Sequence, residues 1–186
     1  MAMRLLFILL LAVLPMCPLR ADDEEHQLEE TLSPNRLFTV AETVITHEWG
    51  KTSSYAIRFR PTGKTLATCP DDGRYQSSPQ TTLWNGNSRL VAVGAHTVRH
   101  GGSFDLWWVT PRKAELLKVD LAKEDGDIYV TPQKWSDRQT LECDAVGRTS
   151  SAHRRLHPDD LWVAYRLVVR VDPDTLKTQV SRYPRK

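Results

Sequence analysis

An all-β domain of short antiparallel strands is what this 186-residue sequence predicts, and three observations carry the prediction. From Leu37 onward, strand-length runs rich in β-branched and aromatic residues alternate with turn dipeptides of Gly, Pro, Asn and Asp. The longest run, Leu161 to Val171, keeps a two-residue period: Leu161, Val163, Tyr165, Leu167, Val169 and Val171 share one face, while Arg166 and Arg170 mark the other as solvated or an interface. Within the β-patterned region the ambiguous segment is R112-K-A-E-L-L-K118 behind Thr110-Pro111, whose composition favours helix and where a cap followed by a proline can start one. Even there Leu117, Val119 and Leu121 alternate with charged neighbours, so a strand over 114–121 is expected.

Taken in order, the chain opens with Arg4, a ten-residue apolar run from Leu5 to Leu14, and Pro18-Leu19-Arg20-Ala21. That is the layout of a secretory signal peptide, cleaved after Ala21, and the run is too short to cross a bilayer as a helix. A lipoprotein would need a small residue before Cys17, where Met16 stands. The expected divisions are a signal peptide over 1–21, an acidic leader over 22–36 and a single β domain over 37–186. The leader, D22-D-E-E-H-Q-L-E-E-T-L-S33, offers a turn or two of helix or a flexible segment. Candidate strands follow at 37–41, 54–60, 89–93, 104–109, 114–121, 127–131, 140–144, 161–171 and 178–181. No transmembrane segment is expected once the signal is removed, and the protein is placed in the periplasm or outside the cell.

Removing Arg4 and Arg20 lowers Lys+Arg from 25 to 23, against 23 Asp+Glu. A formally neutral mature chain lacks the cationic surplus that phosphate contacts demand, so nucleic acid is not an expected partner. Cys17 leaves with the signal, and Cys69 and Cys143 remain. In an oxidising compartment they are a candidate disulfide, which on the chain-entropy account would stabilise the fold by about 4 to 5 kcal/mol. The alternative is two separate buried thiols.

Three stretches share an aromatic, a polar turn and an apolar strand: R58-F-R-P-T-G-K-T-L-A-T68, L83-W-N-G-N-S-R-L-V-A-V93 and K134-W-S-D-R-Q-T-L-E-C143. The phrase F59-R-P-T-G-K-T-L-A67 and the strand D105-L-W-W-V109 resemble the blade repeat of β-propeller proteins of the WD-repeat and TolB kinds. At the position of the family's turn aspartate stand Thr62 and Asn87, and the aromatics are unevenly spaced, about 25 and 51 residues apart. A closed propeller needs at least four blades of about forty residues. The resemblance therefore implies two or three blade-like sheets in an incomplete propeller, with a β-sandwich as the alternative.

Chemistry-bearing residues are few. His96 and His100, and His153 and His157, form two i, i+4 pairs, without the glutamate of a zinc-protease helix. If all four converged with an aspartate such as Asp159, a small metal-dependent hydrolase would result; otherwise they are loop residues. No nucleophile elbow, calcium loop, phosphate loop or C-x-x-C motif is present, so no catalytic residue, metal or cofactor is assigned. The stretch from Gly94 to Ser103 reads as a glycine-bounded loop on a rigid sheet, carrying His96, Arg99, His100, Gly101, Gly102 and Ser103, and such loops commonly hold binding function. Size, signal peptide and all-β build are similar to those of bacterial periplasmic immunity proteins that inhibit peptidoglycan-degrading effectors, some of which have blade-like sheets. That resemblance implies a non-enzymatic protein whose partner is a cell-wall hydrolase, its active site occluded by the 94–103 loop. An envelope scaffold is the remaining alternative.

Overall fold

The computed structural model describes residues 23–26, 31–47, 50–69, 81–97, 101–121, 128–148 and 162–184. Twelve strands occur among them: β1 Asp23–His26, β2 Phe38–His47, β3 Gly50–Phe59, β4 Lys64–Thr68, β5 Thr81–Trp84, β6 Leu90–Thr97, β7 Gly101–Val109, β8 Ala114–Leu117, β9 Ile128–Trp135, β10 Thr140–Arg148, β11 Trp162–Val171 and β12 Thr178–Pro184. They form three four-stranded antiparallel sheets of consecutive strands, β1-β2-β3-β4, β5-β6-β7-β8 and β9-β10-β11-β12. Four strands meandering in order is the topology of a propeller blade. The described residues are thus all-β, three blade-like sheets in an incomplete propeller arrangement and not the two facing sheets of a sandwich. No helix among the described residues is long and apolar enough to cross a membrane.

The middle sheet is buried on both faces. Leu90, Ala92, Phe104 and Leu106 pack against Leu141, Cys143, Tyr165, Leu167 and Val169 of the third sheet. On its other side Val91, Val93, Trp107 and Val109 pack against Phe38, Val40, Tyr55 and Ile57 of the first. Burial of one such large apolar side chain stabilises by about 1.5–3 kcal/mol, so the middle sheet holds the stack together. In β11 the expected period holds from Tyr165 to Val171, with Tyr165, Leu167, Val169 and Val171 buried and Arg166 and Arg170 exposed, but Val163 on the same face is 39% exposed and Leu161 lies outside the described residues.

Three expectations are corrected. The leader is not separate from the domain: β1 pairs with β2 from Asp23↔Ile45 to His26↔Glu42, and Leu32 bridges Thr39. An edge strand gains its place through backbone hydrogen bonds, so an acidic sequence with no apolar stripe can still supply one. The strand after Pro111 ends at Leu117, with Val119 and Leu121 packed on the core outside any ladder. Finally, no disulfide joins Cys69 and Cys143. Cys69 packs beside the cluster between the first and second sheets, Cys143 lies fully buried between the second and third, and the whole middle sheet separates them. Two sheet spacings amount to roughly 20 Å, whereas a disulfide needs Cα atoms within about 7 Å.

The repeat is real, but its first copy lies elsewhere. Each sheet begins its second strand after a turn closed in the same way: Ser33 N donates to Phe38 O, Asn85 N to Leu90 O and Ser136 N to Thr140 O. Beside each, Arg60 N, Val109 N and Val171 N donate to Leu37 O, Arg89 O and Gln139 O. Positions 37, 89 and 139 are therefore equivalent, 52 and 50 residues apart. The first copy is T31-L-S-P-N-R-L-F-T-V-A41, and F59-R-P-T-G-K64 is the turn from third to fourth strand, equivalent to T110-P-R-K113 and D172-P-D-T175.

Candidate binding end of the sheet stack

In every sheet the turn from first to second strand lies at the same end as the turn from third to fourth. The connection from second to third strand lies at the opposite end. The first of these ends is fastened. Trp84 Nε1 donates to Thr31 O at 2.7 Å, and Trp135 Nε1 to Leu83 O at 3.0 Å, so each indole ties its sheet to the equivalent carbonyl of the preceding one. The turns are also tied to one another: Asn35 N donates to Ser88 Oγ at 3.0 Å and Asn85 Nδ2 to Arg138 O at 2.6 Å.

Each turn secures its first ladder N–H with a side-chain oxygen. Ser33 Oγ accepts from Phe38 N, Asn85 Oδ1 from Arg89 N and Leu90 N, and Asp137 Oδ1 from Gln139 N and Thr140 N. Those backbone donors hold the Asp137 carboxyl below the usual carboxylate range. Arg36 and Ser88 take positive φ at equivalent turn positions, 57° and 59°, while the third turn is one residue shorter.

Midway along the strands, a second lock joins the first and second sheets. Tyr55 donates its hydroxyl to Asp105 Oδ2 at 2.5 Å and accepts from Trp107 Nε1 at 2.8 Å; the two rings meet edge to face, 6.5 Å apart. Burial, then the charge of Asp105, pushes the phenol far above its ordinary value. Its hydroxyl, donating to Asp105 and accepting from Trp107, joins the first and second sheets. Glu42, cross-strand from Tyr55, keeps Oε1 buried without a hydrogen-bond partner among the described residues, and Cys69 N donates to Tyr55 O. Sequence reasoning did not find this cluster. Its signal was an aspartate inside the apolar strand F104-D-L-W-W-V109, since a charge placed there requires a partner.

At the opposite end the expected 94–103 loop proves to be mostly ladder. Gly94 pairs with Phe104, Ala95 with Ser103, His96 with Gly102 and Thr97 with Gly101. His96 is thus in β6, and Gly101, Gly102 and Ser103 in β7, leaving 98–100 as the connection; Arg99 and His100 lie outside the described residues. Glycines bounding the stretch suggest a loop, but an antiparallel pair accepts glycine wherever the partner strand supplies the hydrogen bonds. His47 ends β2 opposite Gly50, while His153 and His157 lie outside the described residues, between β10 and β11. The three second-to-third-strand connections therefore leave the stack at one end, and five of the six histidines fall in them or in the last residues before them. Among the described residues no three His, Cys, Asp or Glu side chains are grouped to hold a metal ion.

No family model matches the chain, and no curated protein matches it. Among solved structures it is similar to the Pyrococcus horikoshii acylaminoacyl peptidase, with a TM-score of 0.43 and 9% identity over 80% of this chain. The match spans 24% of the length of that peptidase.

Proposed function

We propose that the protein is an exported, non-enzymatic binding module that inhibits a cell-wall hydrolase, presenting the β6–β7 hairpin to the partner's active-site cleft. The observation that carries this reading is the β6–β7 hairpin, paired from Leu90↔Trp108 to Thr97↔Gly101. It sets the short connection that contains Arg99 and His100 on a sheet whose two faces are packed against the sheets on either side. Connections held on a rigid sheet frame are favoured binding elements, and a hairpin loses less conformational entropy on docking than an open loop of the same length. The signal-peptide layout of residues 1–21 supports export. The hydrogen bonds at mid-strand, from Tyr55 to Asp105 and from Trp107 to Tyr55, support a scaffold role for that cluster.

The test is co-purification of the exported protein with envelope hydrolases, followed by hydrolase assays. A stoichiometric complex with reduced hydrolase activity, weakened at least tenfold by Arg99→Glu with the melting temperature unchanged, is expected. A complex indifferent both to Arg99→Glu and to Ser103→Trp would overturn the hairpin assignment, and absence of any hydrolase complex would overturn the function.

A further inference from the structure

A cavity of about 370 Å³ opens at the fastened end of the third sheet, between the turn before β10 and the turn after β11. Four long polar side chains line it: Gln139, Arg170, Lys177 and Gln179. None of the four makes a side-chain hydrogen bond or ion pair among the described residues. The carboxylate on the rim, Asp172, is occupied otherwise: its Oδ1 accepts from Asp174 N and Thr175 N, both at 2.9 Å, closing the turn. Thr178, also lining the cavity, spends its hydroxyl on Lys118 O at 2.6 Å.

The corresponding positions in the other sheets are filled differently. Arg170 stands where the first sheet has Phe59 and the second Trp108, as the pairs Phe38↔Phe59, Leu90↔Trp108 and Thr140↔Arg170 show. Phe59 packs on Phe38 with ring centroids 5.7 Å apart. In the third sheet the same place holds a guanidinium, flanked across the strand by Gln179. We propose that this cavity binds a small carboxylate-bearing ligand, the carboxylate taken by the fork of Arg170 with Lys177, and neighbouring hydroxyl or amide groups by Gln139 and Gln179.

Charge and size favour that class. Asp137 and Asp172 lie within electrostatic reach of Arg170 and Lys177, so the site has no cationic surplus for a phosphate dianion, and a single carboxylate is the charge it suits. An arginine fork matches a carboxylate with two parallel hydrogen bonds. Small-ligand sites begin at about 300 Å³, so the cavity suits one sugar-acid ring or the last residue or two of a peptide. Both sources present the same carboxylate. The site lies at the opposite end of the strands from the β6–β7 hairpin and stands independently of the hydrolase reading.

The experiment is a nitrogen-15 NMR titration of the purified protein with glucuronate, with glucose as its uncharged counterpart, and with an N-acetylated alanine dipeptide as carboxylate and as amide. Shifts confined to residues 139 and 170–179, given by either carboxylate and not by its neutral counterpart, are expected, and the stronger carboxylate names the source. Arg170→Met combined with Lys177→Met, both exposed positions, should weaken binding at least tenfold while the melting temperature and any hydrolase complex stay unchanged. Shifts equal for charged and neutral ligands, shifts lying elsewhere, no shifts at all, or an unaffected double variant would each overturn the proposal.

Discussion

Replacing Tyr55 by Phe tests whether the mid-strand lock carries the contact between the first and second sheets. The substitution keeps the ring and its edge-to-face packing on Trp107 and removes one oxygen. Two consequences follow from the geometry: Trp107 Nε1 loses its acceptor in a buried place, and Asp105 Oδ2 loses its phenolic donor. A buried donor left unsatisfied costs about 1–3 kcal/mol, and a hydrogen bond to a charged acceptor contributes about 1.5–3 kcal/mol. Since water can reach partly buried Asp105 to some extent, a total near 3 kcal/mol is expected. For a domain of this size that lowers the melting temperature by about 6–12 °C. Urea unfolding followed by tryptophan fluorescence reads the loss as a shift in midpoint with constant slope. Trp107→Phe completes a double-mutant cycle, in which coupling of at least about 1 kcal/mol is expected between the two. A Tyr55→Phe protein within about 0.5 kcal/mol of the parent would refute the lock.

The same group sets an alkaline limit. Its pKa is raised in the folded state by burial and by Asp105, so its contribution is fully present below the unfolded phenol value near 10 and is lost above it, at about 1.4 kcal/mol per pH unit. Tyr55→Phe should remove that slope. Cys143 titrates with the same sign, its thiol pushed from 9.0 to about 12 by burial and then by Asp144, so Cys143→Ala should flatten the stability curve between those values. If stability is flat above pH 10 in the parent, the burial of Tyr55 is misread.

Other consequences can be checked together. Trp135→Phe should cost about 1 to 2 kcal/mol by leaving Leu83 O without its indole donor, and Trp84→Phe should cost a similar amount at the equivalent carbonyl of Thr31; chemical denaturation measures both. Gly147→Ala should destabilise by about 1–3 kcal/mol, because a Cβ there would stand 2.8 Å from the Tyr165 hydroxyl and 3.2 Å from its ring, whereas Gly86→Ala, with nothing within 4 Å, should be tolerated. Reducing agent should leave the melting temperature unchanged, since Cys69 and Cys143 lie on opposite sides of the middle sheet, and alkylation of the native protein should spare Cys143.

The class of the fold was legible because it rests on patterning that burial imposes. In β11 one face meets the middle sheet and the other meets solvent, so the alternation from Tyr165 to Val171 announces both. What escaped were β1 and β5, which are four residues long and held at sheet edges by backbone pairing, where side-chain pattern is weakly constrained; β4 was legible only as the strand that closes a repeat stretch. The register of the first repeat was lost for a related reason. Pro34-Asn35 and Pro61-Thr62-Gly63 both make serviceable turns, and local chemistry does not say which of them opens the second strand. The discriminating information is the hydrogen bond from Trp84 to Thr31 across 53 residues, a contact that exists only after the sheets stack.

The candidate binding end shows the same division between local and non-local information. Glycines at 94, 101 and 102 suggested a loop because sequence shows the absence of a side chain and not the presence of a partner strand. Once β6 and β7 pair as far as Thr97↔Gly101, the glycines become part of a hairpin arm and the variable element shrinks to residues 98–100. That change alters the functional argument. A ten-residue loop would order itself on binding at about 1–2 kcal/mol per residue fixed, whereas a paired arm has met most of that cost in folding. Affinity in the hairpin reading must therefore come from a few residues around Arg99 and His100, and single substitutions there should have larger effects than any spread along the arm. A scan in which replacements at Gly101 to Ser103 outweighed those at Arg99 and His100 would show that the arm, and not its connection, meets the partner.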